Sequence, residues 1–577
     1  MKKIFTIASL FSFSLIFGQF QVAKEIQKLE REKVNFNTFS VLTTSNAIDA
    51  TSVNSVVDGA TLAKINTSAI SSIYANKYDY LEVAIPYNGT EVITKLYKVN
   101  PFAEGFHVDT DKAERVNYDK GVYYRGIVEG DYTSVVALNF FNNEFNGIIS
   151  STELTNLIVG KLDKSNNTED YIVYADSKMK VLNGFNCSVT DEHDHKNESG
   201  NTAERDVNST RCVTVYLELD YNLYTSNGSS VATTTNWMTS VFNNVQTLFA
   251  NDGISTAIKS IFVWTTQDPY TGTSSGDYLF QFNDVRPVFD GDVGQLVGID
   301  PGGLGGVAVG INKLCVTDNF SYSDVDFSYN TVPTYSWTVM VVTHEFGHLL
   351  GSPHTHACTW NGNNTAIDNC APVATGGGEG ANCLTSPPTI PSTTQKGTIM
   401  SYCHLIGGVG INFNNGFSSQ PAGRILNAVN AGTCLSFDCV NTCINFINNI
   451  QVSNITNNSA TINFADGGNA TAWQRALTSF SSNFNIWSNI SSPTFNASGL
   501  TANSYYKAKI RPACPTGITP LNRDAIFATT ANYCNGITIT DTGGASGEYT
   551  DNETFTRIIA PNIPGQKITL TFTAFNL

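Results

Sequence analysis

The amino-acid sequence predicts a multidomain protein in which a β-rich leading domain precedes an α/β domain and C-terminal all-β sandwich modules. At 577 residues the chain is longer than one hydrophobic core usually supports. Alternating apolar segments such as YLEVAIPY recur through residues 19–205, whereas residues 206–436 mix strand and helix patterns. Short alternating strands return over residues 446–530. These changes of pattern set the expected domain boundaries.

Residues 1–18 have the pattern of a signal peptide. Lys2 and Lys3 precede an apolar run, and the small Gly18 follows it near a plausible cleavage point. The run is shorter than the roughly 20 residues that a membrane-spanning helix needs. We therefore expect an exported protein, secreted or at the cell surface, with no membrane span.

Composition narrows the partners. The formal net charge of −16, without a long Lys/Arg run, argues against nucleic acid and anionic lipid. Twelve cysteines suit an oxidising compartment, although their pairing does not follow from sequence. Cys187 stands alone upstream, and most of the others flank a histidine cluster. We interpret them as disulfide staples, with a metal–thiolate cluster as the alternative. The oligomeric state is left open.

The leading domain ends in a polar stretch, residues 188–211, that resembles an exposed linker. A protease could cut there. His193 and His195 lie in this stretch and could be metal ligands, but solvated linker histidines are the better interpretation.

The α/β domain begins near Cys212. CVTVYLELDYNLY and AIKSIFVWTT indicate strands, and NWMTSVFNNVQTLFAND between them indicates a helix. LGGVAVGINKLC suggests a further short strand whose backbone is closely approached. TYSWTVMVVTHEFGHLLGS then predicts a helix that ends at Gly351.

This helix carries the chemistry. His344 and His348 lie one turn apart on its inward face, so both imidazoles can bind one metal ion. Gly351 permits a left-handed turn that brings His354 to the same centre. Three neutral nitrogen ligands suit zinc and leave a fourth position open, as a catalytic site requires. Glu345, beside the first histidine, is placed to act as a base.

The uninterrupted motif HEFGHLLGSPH resembles the signature of the metzincin zinc metalloproteases, HExxHxxGxxH. In GTIMSYC, Met400 corresponds to the methionine of the turn beneath the metal. The cysteine-rich segment from HTHACTWNGNN onward is most similar to the reprolysin (adamalysin) group. Tyr402 departs from that group, because it matches a tyrosine that other metzincins carry near zinc.

The resemblance implies a secreted zinc endopeptidase that acts on polypeptides. Glu345 would deprotonate the attacking water and pass the proton to the leaving amine. Tyr402 is either a donor to the oxyanion or a packed aromatic, and both interpretations stay open. The substrate would pair with an edge strand near Gly306–Gly310. The segment HLIGGVGINF would wall an apolar pocket for the residue after the cut.

Latency is also implied. The segment VYYRGIVEGDYTSVVALNFFNNEFNGIIS resembles reprolysin propeptides, and Cys187 lies near the end of that domain. Its thiolate could occupy the open position on zinc, with a structural disulfide as the alternative. Calcium is possible but unsupported, because the DGD of residues 290–292 is too short a loop signature.

Beyond the α/β domain the chemistry stops. Leu500 and Tyr506 have the tyrosine-corner spacing of fibronectin type III domains. Residues 531–577 resemble the first strands of a CUB-like sandwich, which suggests a fragment of a longer chain. The alternative function is an adhesion or ligand-binding protein with an inactive protease fold. The complete motif favours the enzyme.

Overall fold

The computed structural model describes residues 20–181, 184, 187–189 and 208–573, apart from 469, 481, 483, 545, 546, 550–552, 556, 562 and 564. The signal-peptide prediction for residues 1–18 and the linker residues His193 and His195 lie outside the described residues. Among the helices that are described, none is both long enough and apolar enough to cross a membrane.

Residues 20–181, the leading segment, are built around one large sheet. The helices are α1 (Gln21–Arg31), α2 (Thr51–Val56) and α3 (Thr67–Asn76). The strands are β1 (Asn37–Ser40), β2 (Leu42–Thr44), β3 (Thr61–Ile65), β4 (Tyr80–Tyr87), β5 (Thr90–Val99), β6 (Phe102–Thr110), β7 (Val122–Val128), β8 (Asp131–Phe141), β9 (Glu144–Ser151), β10 (Thr155–Lys161) and β11 (Asp170–Ala175). Ten of them form a sheet in the order β1-β4-β5-β7-β8-β9-β10-β11-β3-β2. The β-rich character expected of this segment is therefore confirmed.

The second domain follows the linker. Its helices are α4 (Tyr221–Ser226), α5 (Val231–Asn251), α6 (Ser275–Val285), α7 (Tyr335–Leu349), α8 (Cys370–Ala374) and α9 (Ser419–Ala431). Its strands are β12 (Cys212–Leu219), β13 (Ser255–Val263), β14 (Val293–Gly298), β15 (Gly306–Ala308), β16 (Phe320–Asp324), β17 (Ser328–Tyr329) and β18 (Val332–Pro333). The strand predicted from CVTVYLELDYNLY ends at Leu219, and the rest of that stretch begins α4 at Tyr221.

The sheet of the second domain has a member that the sequence did not predict. Its order is β15-β16-β14-β12-β13-β6, so strand β6 of the leading segment lies at its edge. Strand β6 runs parallel to β13, with Val108 opposite Ile261. At the other edge, β15 pairs antiparallel with β16. A parallel pairing between distant segments leaves no local signal, which explains why sequence reasoning missed it.

Helix α5 is covered on two sides. It packs against β13 of its own domain and against strands β7, β8 and β9 of the leading sheet. The contacts with the leading sheet include hydrogen bonds: the Tyr123 hydroxyl donates to Thr239 Oγ1 at 2.9 Å, and Asn243 Nδ2 donates to Asn139 Oδ1 at 2.8 Å. These two hydrogen bonds cross the boundary between α5 and the leading sheet.

Helix α7 ends within two residues of the predicted position. Its residues are buried on every face except at Trp337, so it has no solvent side in this chain. The sequence analysis had placed only one face of this helix, the face of His344 and His348, toward the interior. The leading segment explains the difference, because strand β10 and the turn after β11 pack near α7 from outside the second domain.

Five disulfides staple the chain, which agrees with the staple interpretation. They join Cys212–Cys439, Cys315–Cys434, Cys358–Cys383, Cys370–Cys403 and Cys443–Cys514. Cys187 and Cys534 are free thiols; Cys187 is buried and Cys534 is exposed.

Seven strands follow the second domain. They are β19 (Ile447–Ser453), β20 (Ser459–Asp466), β21 (Trp473–Ser479), β22 (Ser488–Ile490), β23 (Thr494–Ser498), β24 (Tyr505–Pro512) and β25 (Arg523–Ala528). They form sheets of three and four strands, β19-β20-β23 and β22-β21-β24-β25, around a common apolar core. The backbone N–H of Thr501 donates to the Tyr506 hydroxyl at 2.8 Å, and Leu500 is buried. These contacts are what a tyrosine corner requires.

The residues after β25 give the CUB-like interpretation no support. A short 3-10 turn spans Tyr533–Asn535, and the described residues from 537 to 573 form no strand.

Candidate metal centre

Three imidazoles of the predicted motif converge on one point. His348 Nε2 lies 3.2 Å from His344 Nε2 and 3.1 Å from His354 Nε2. All three side chains are fully buried. Burial and the neighbouring His348 and His354 lower the pKa of His344 well below its usual value, so this imidazole is neutral at pH 7.

The other ring nitrogens face acceptors. His344 Nδ1 is 2.8 Å from the carbonyl oxygen of Ile399, and His348 Nδ1 is 2.7 Å from that of Ser352. A proton on each Nδ1 leaves the Nε2 lone pairs pointing at a common centre. A tetrahedral zinc ion about 2.0–2.1 Å from each nitrogen would hold such nitrogens about 3.3 Å apart. The donor set therefore fits zinc.

The turn after α7 places the third imidazole. Gly351 has φ +118°, which favours glycine, and the Ser352 N–H closes the turn on the Gly347 carbonyl at 2.9 Å. Beyond the turn, the Trp360 indole N–H donates to the carbonyl of His354 at 2.7 Å. The left-handed turn inferred for Gly351 is thus where the sequence analysis put it.

Met400 lies against the helix below the histidines. A Cβ on Gly347 would come 2.6 Å from Met400 Sδ, so glycine at 347 allows the thioether to pack there. The Thr355 N–H donates to the Met400 carbonyl at 3.0 Å, and Met400 itself is fully buried.

Glu345 lies between the histidines and strand β15. Its carboxylate is fully buried, and burial raises its pKa to about 8. A Cβ added to Gly306 would sit 2.3 Å from Glu345 Oε1. Only glycine at this position lets the edge strand run past the carboxylate, as LGGVAVGINKLC had suggested.

Cys187 reaches the same centre from the leading part of the chain. Its Sγ lies 3.6 Å from His348 Nε2 and 3.6 Å from Glu345 Oε2. Cys187 forms a parallel bridge with Gly306, and the Ser188 N–H donates to the Gly306 carbonyl at 3.1 Å. Burial and the adjacent Glu345 raise the pKa of this thiol well above its usual value, so a thiolate here needs a cation beside it.

Tyr402 also belongs to the site. Its ring lies 5.1 Å from that of His354, and its hydroxyl donates to the Cys187 carbonyl at 2.7 Å. Burial raises the pKa of this hydroxyl, so it is a donor throughout the ordinary pH range. Tyr402 is therefore a buried aromatic whose hydroxyl is directed at the segment beside the histidines.

Sequence reasoning missed Glu379 and His356. Glu379 Oε1 lies 3.4 Å from His354 Nδ1 and 3.3 Å from His356 Nε2. Burial alone would raise the pKa of Glu379, but the neighbouring His356 and His354 outweigh it and lower the pKa. Gly380, at φ +72°, passes the His356 ring so closely that a Cβ would be 2.8 Å from it. Glu379 stands in a loop without a motif, so no signal in the sequence pointed to it.

The segment HLIGGVGINF lines a cavity. His404, Ile406, Val409 and Ile411 face it, together with residues of the leading segment. The wall is not wholly apolar, because Lys396 also lines it.

Comparisons with solved structures find local likenesses to β-sandwich proteins. A computationally redesigned β-sandwich protein is 17% identical at TM-score 0.13, covering 15% of this chain and 94% of its own. A myokine is 10% identical at TM-score 0.13 over 15% and 96%. A segment of two fibronectin type III domains of chicken tenascin is 15% identical at TM-score 0.15 over 15% and 51%. TM-scores this low do not support a shared overall fold.

Comparison by sequence gives one informative result. A search of curated proteins finds no match. The model of the family Reprolysin_5, metallo-peptidase family M12, matches residues 209–402, a range that includes His344, Glu345, His348, His354 and Tyr402. The match supports a metallopeptidase domain of the M12 type within residues 209–402.

Proposed function

We propose that this protein is a secreted, zinc-dependent endopeptidase made as a latent precursor. The observation that carries the proposal is the convergence of the Nε2 atoms of His344, His348 and His354. Backbone carbonyl oxygens near Nδ1 fix the ring orientation of His344 and His348. The M12 family match supports a zinc metalloprotease, whose substrates are proteins or peptides. The five disulfides are consistent with an extracellular location.

His344, His348 and His354 would hold the metal, and the remaining groups would do the proton chemistry. When bound, zinc supplies a Lewis acid that polarises the scissile carbonyl and makes water more acidic. Glu345 takes one proton from the attacking water as its oxygen bonds to the carbonyl carbon. The same carboxyl gives a proton to the amide nitrogen as the C–N bond breaks. Tyr402 directs its hydroxyl at the carbonyl oxygen that gains negative charge.

In the unprocessed chain, Cys187 and its neighbours would block these steps. The sulfur lies within metal-ligand reach of the histidine nitrogens, since the four ligand atoms are all within 4.8 Å of one another. Residues 187–189 run parallel to β15, whereas the metzincin resemblance implies that a substrate pairs antiparallel with it. The segment therefore occupies the cleft in the direction opposite to a substrate, which would protect it from cleavage.

Metal removal and one substitution test the activity. The full chain, cut within residues 190–207 to release latency, should hydrolyse protein substrates, lose that activity to a chelator and regain it with zinc. Glu345→Gln should retain one zinc per chain and lose nearly all turnover, because the ligands survive while the base does not.

Two results would contradict the proposal. Loss of zinc in Glu345→Gln would show that the carboxylate is a ligand rather than a base. A processed chain that binds zinc yet cleaves no protein or peptide would favour the alternative, a binding protein with an inactive protease fold.

A further inference from the structure

One cavity bordered by the segment after the Met400 turn carries charged groups that the apolar sequence of that segment does not suggest. Its volume is about 780 Å³, and it lies between the leading segment and the second domain. Met340, one helical turn before His344, borders it. So does His404, whose ring is 5.8 Å from that of Tyr402. The cavity therefore adjoins the candidate catalytic site.

The second domain contributes positive charge and no carboxylate to this cavity. Of its described residues on the wall, Lys396 carries a fixed charge and His404 can titrate, while the others are neutral. Lys396 is only 8% exposed, and its Nζ donates to the Val409 carbonyl at 2.6 Å. A nearly buried ammonium group is costly unless a carboxylate is near.

The leading segment contributes a carboxylate to the wall of the same cavity. Asp176 lines the same cavity, and Asn156 Nδ2 donates to its Oδ2 at 2.9 Å. Burial raises the pKa of Asp176 to about 6, against opposing contributions from Asn156, Ser336 and the charge of Lys396. Burial lowers the pKa of Lys396, and the charge of Asp176 opposes this shift only in part. The remaining charged groups on the wall, Glu153 and Lys178, also belong to the leading segment.

When the leading segment departs, the cavity loses Asp176 and keeps Lys396. We propose that this cavity then takes an acidic side chain of the substrate, at the residue that follows the cleaved bond, and that Lys396 determines this preference. A substrate carboxylate would replace Asp176 opposite the Lys396 ammonium and the Ser336 hydroxyl. The apolar surface of Ile406 and Val409 would pack on its methylene groups. The inference rests on the proposed peptidase function and differs from the apolar preference that HLIGGVGINF suggested.

A neutral side chain in this position leaves the Lys396 ammonium without a counter-charge, and a site built to pair a polar group discriminates strongly against a substrate that lacks the matching group. The test uses the full chain after processing and peptides that differ only at the residue after the cleaved bond. We expect kcat/KM for Glu to exceed that for Gln and for Leu by about tenfold or more. Lys396→Met should bring the Glu-to-Gln ratio close to one, and Lys396→Glu should favour Lys over Gln.

Two further variants serve as controls. Lys396→Arg keeps the charge and should keep a preference for Glu. Lys313→Met removes one positive charge of the same domain away from the cavity, and its Glu-to-Gln ratio should equal that of the unaltered enzyme. If Lys396→Met does not fold, the Glu-to-Gln ratios of the unaltered enzyme and of Lys396→Arg still test the proposed preference for an acidic residue.

Failures of the two proposals look different. Metal-dependent cleavage with no preference for Glu, or with a preference for Leu, overturns the role of Lys396 and leaves the peptidase intact. An unchanged Glu-to-Gln ratio in Lys396→Met would also overturn the role of Lys396 and leave the peptidase proposal intact. If no peptide is cleaved in a metal-dependent way, the proposed function itself is overturned, and this inference with it.

Discussion

The Tyr402 hydroxyl and the Cys187 carbonyl are joined by a 2.7 Å hydrogen bond across the candidate metal centre. While that bond exists, the hydroxyl is not available to a substrate. Removal of the leading segment frees it at the place where a scissile carbonyl would lie. In the processed enzyme we expect Tyr402→Phe to lower kcat by about 10- to 100-fold with little change in KM, because the bond would form only in the transition state. Steady-state kinetics on one peptide decide this, and an unchanged kcat would reduce Tyr402 to a packing residue.

Latency through the Cys187 thiol is tested without catalysis. A precursor that carries both Cys187→Ala and Glu345→Gln cannot cleave itself. If the thiolate fills the open position on zinc, this variant should bind a hydroxamate that the Glu345→Gln precursor excludes. Binding is measured by calorimetry on uncut protein. Equal affinity in the two precursors would mean that the folded leading segment alone closes the site.

Glu379 offers a prediction about metal affinity. Its carboxylate oxygen lies 3.4 Å from His354 Nδ1, where it would fix the ring and strengthen the ligand. Glu379→Gln should weaken zinc binding by about 10- to 100-fold in chelator competition and change the visible spectrum of the cobalt-substituted chain. Glu379→Asp should restore part of the affinity.

Asp318→Asn, which removes an exposed carboxylate of the same domain, is the matched control. It should leave both the affinity and the spectrum unchanged. If Glu379→Gln instead abolishes a second equivalent of bound zinc, the carboxylate is itself a ligand and the positioning role is wrong.

Gly306 should tolerate no side chain. In Gly306→Ala the methyl group would meet Glu345 Oε1 at 2.3 Å, so either the carboxylate or strand β15 must move. We expect activity to fall at least about tenfold while zinc stays bound, since the histidines do not touch this residue. Gly276→Ala is the control, because a Cβ there has no neighbour closer than 3.8 Å. Normal turnover in Gly306→Ala would show that strand β15 can move aside without loss of activity.

The motif residues could be predicted because they act over short stretches of chain. The helical repeat places His344 and His348 on one face, and Gly351 predicts the turn that brings His354 to the same centre. Glu379 and Lys396 lie in loops between disulfides, where no periodicity relates a residue to its neighbours in space. The burial of α7 on its outer side was equally hidden, because it depends on a sheet from another part of the chain. Local sequence patterns therefore predicted the residues of the candidate metal centre. Contacts between distant parts of the chain determine which residues surround that centre, and these could not be predicted.

Strand β6 gives the sheet of the second domain an edge that belongs to the leading segment. The ribosome makes β6 before β13, so the edge of β13 is covered as soon as that strand folds. Under the proposed processing, a cut in the linker would end this arrangement, because a processed chain that unfolded would no longer carry strand β6. Refolding would then have to form a parallel sheet without its template, a slow and aggregation-prone step. Activation would thus be irreversible for folding as well as for the cut peptide bond. Each processed molecule would stay active only until it first unfolded completely. The rate of unfolding, rather than a folding equilibrium, would set its lifetime.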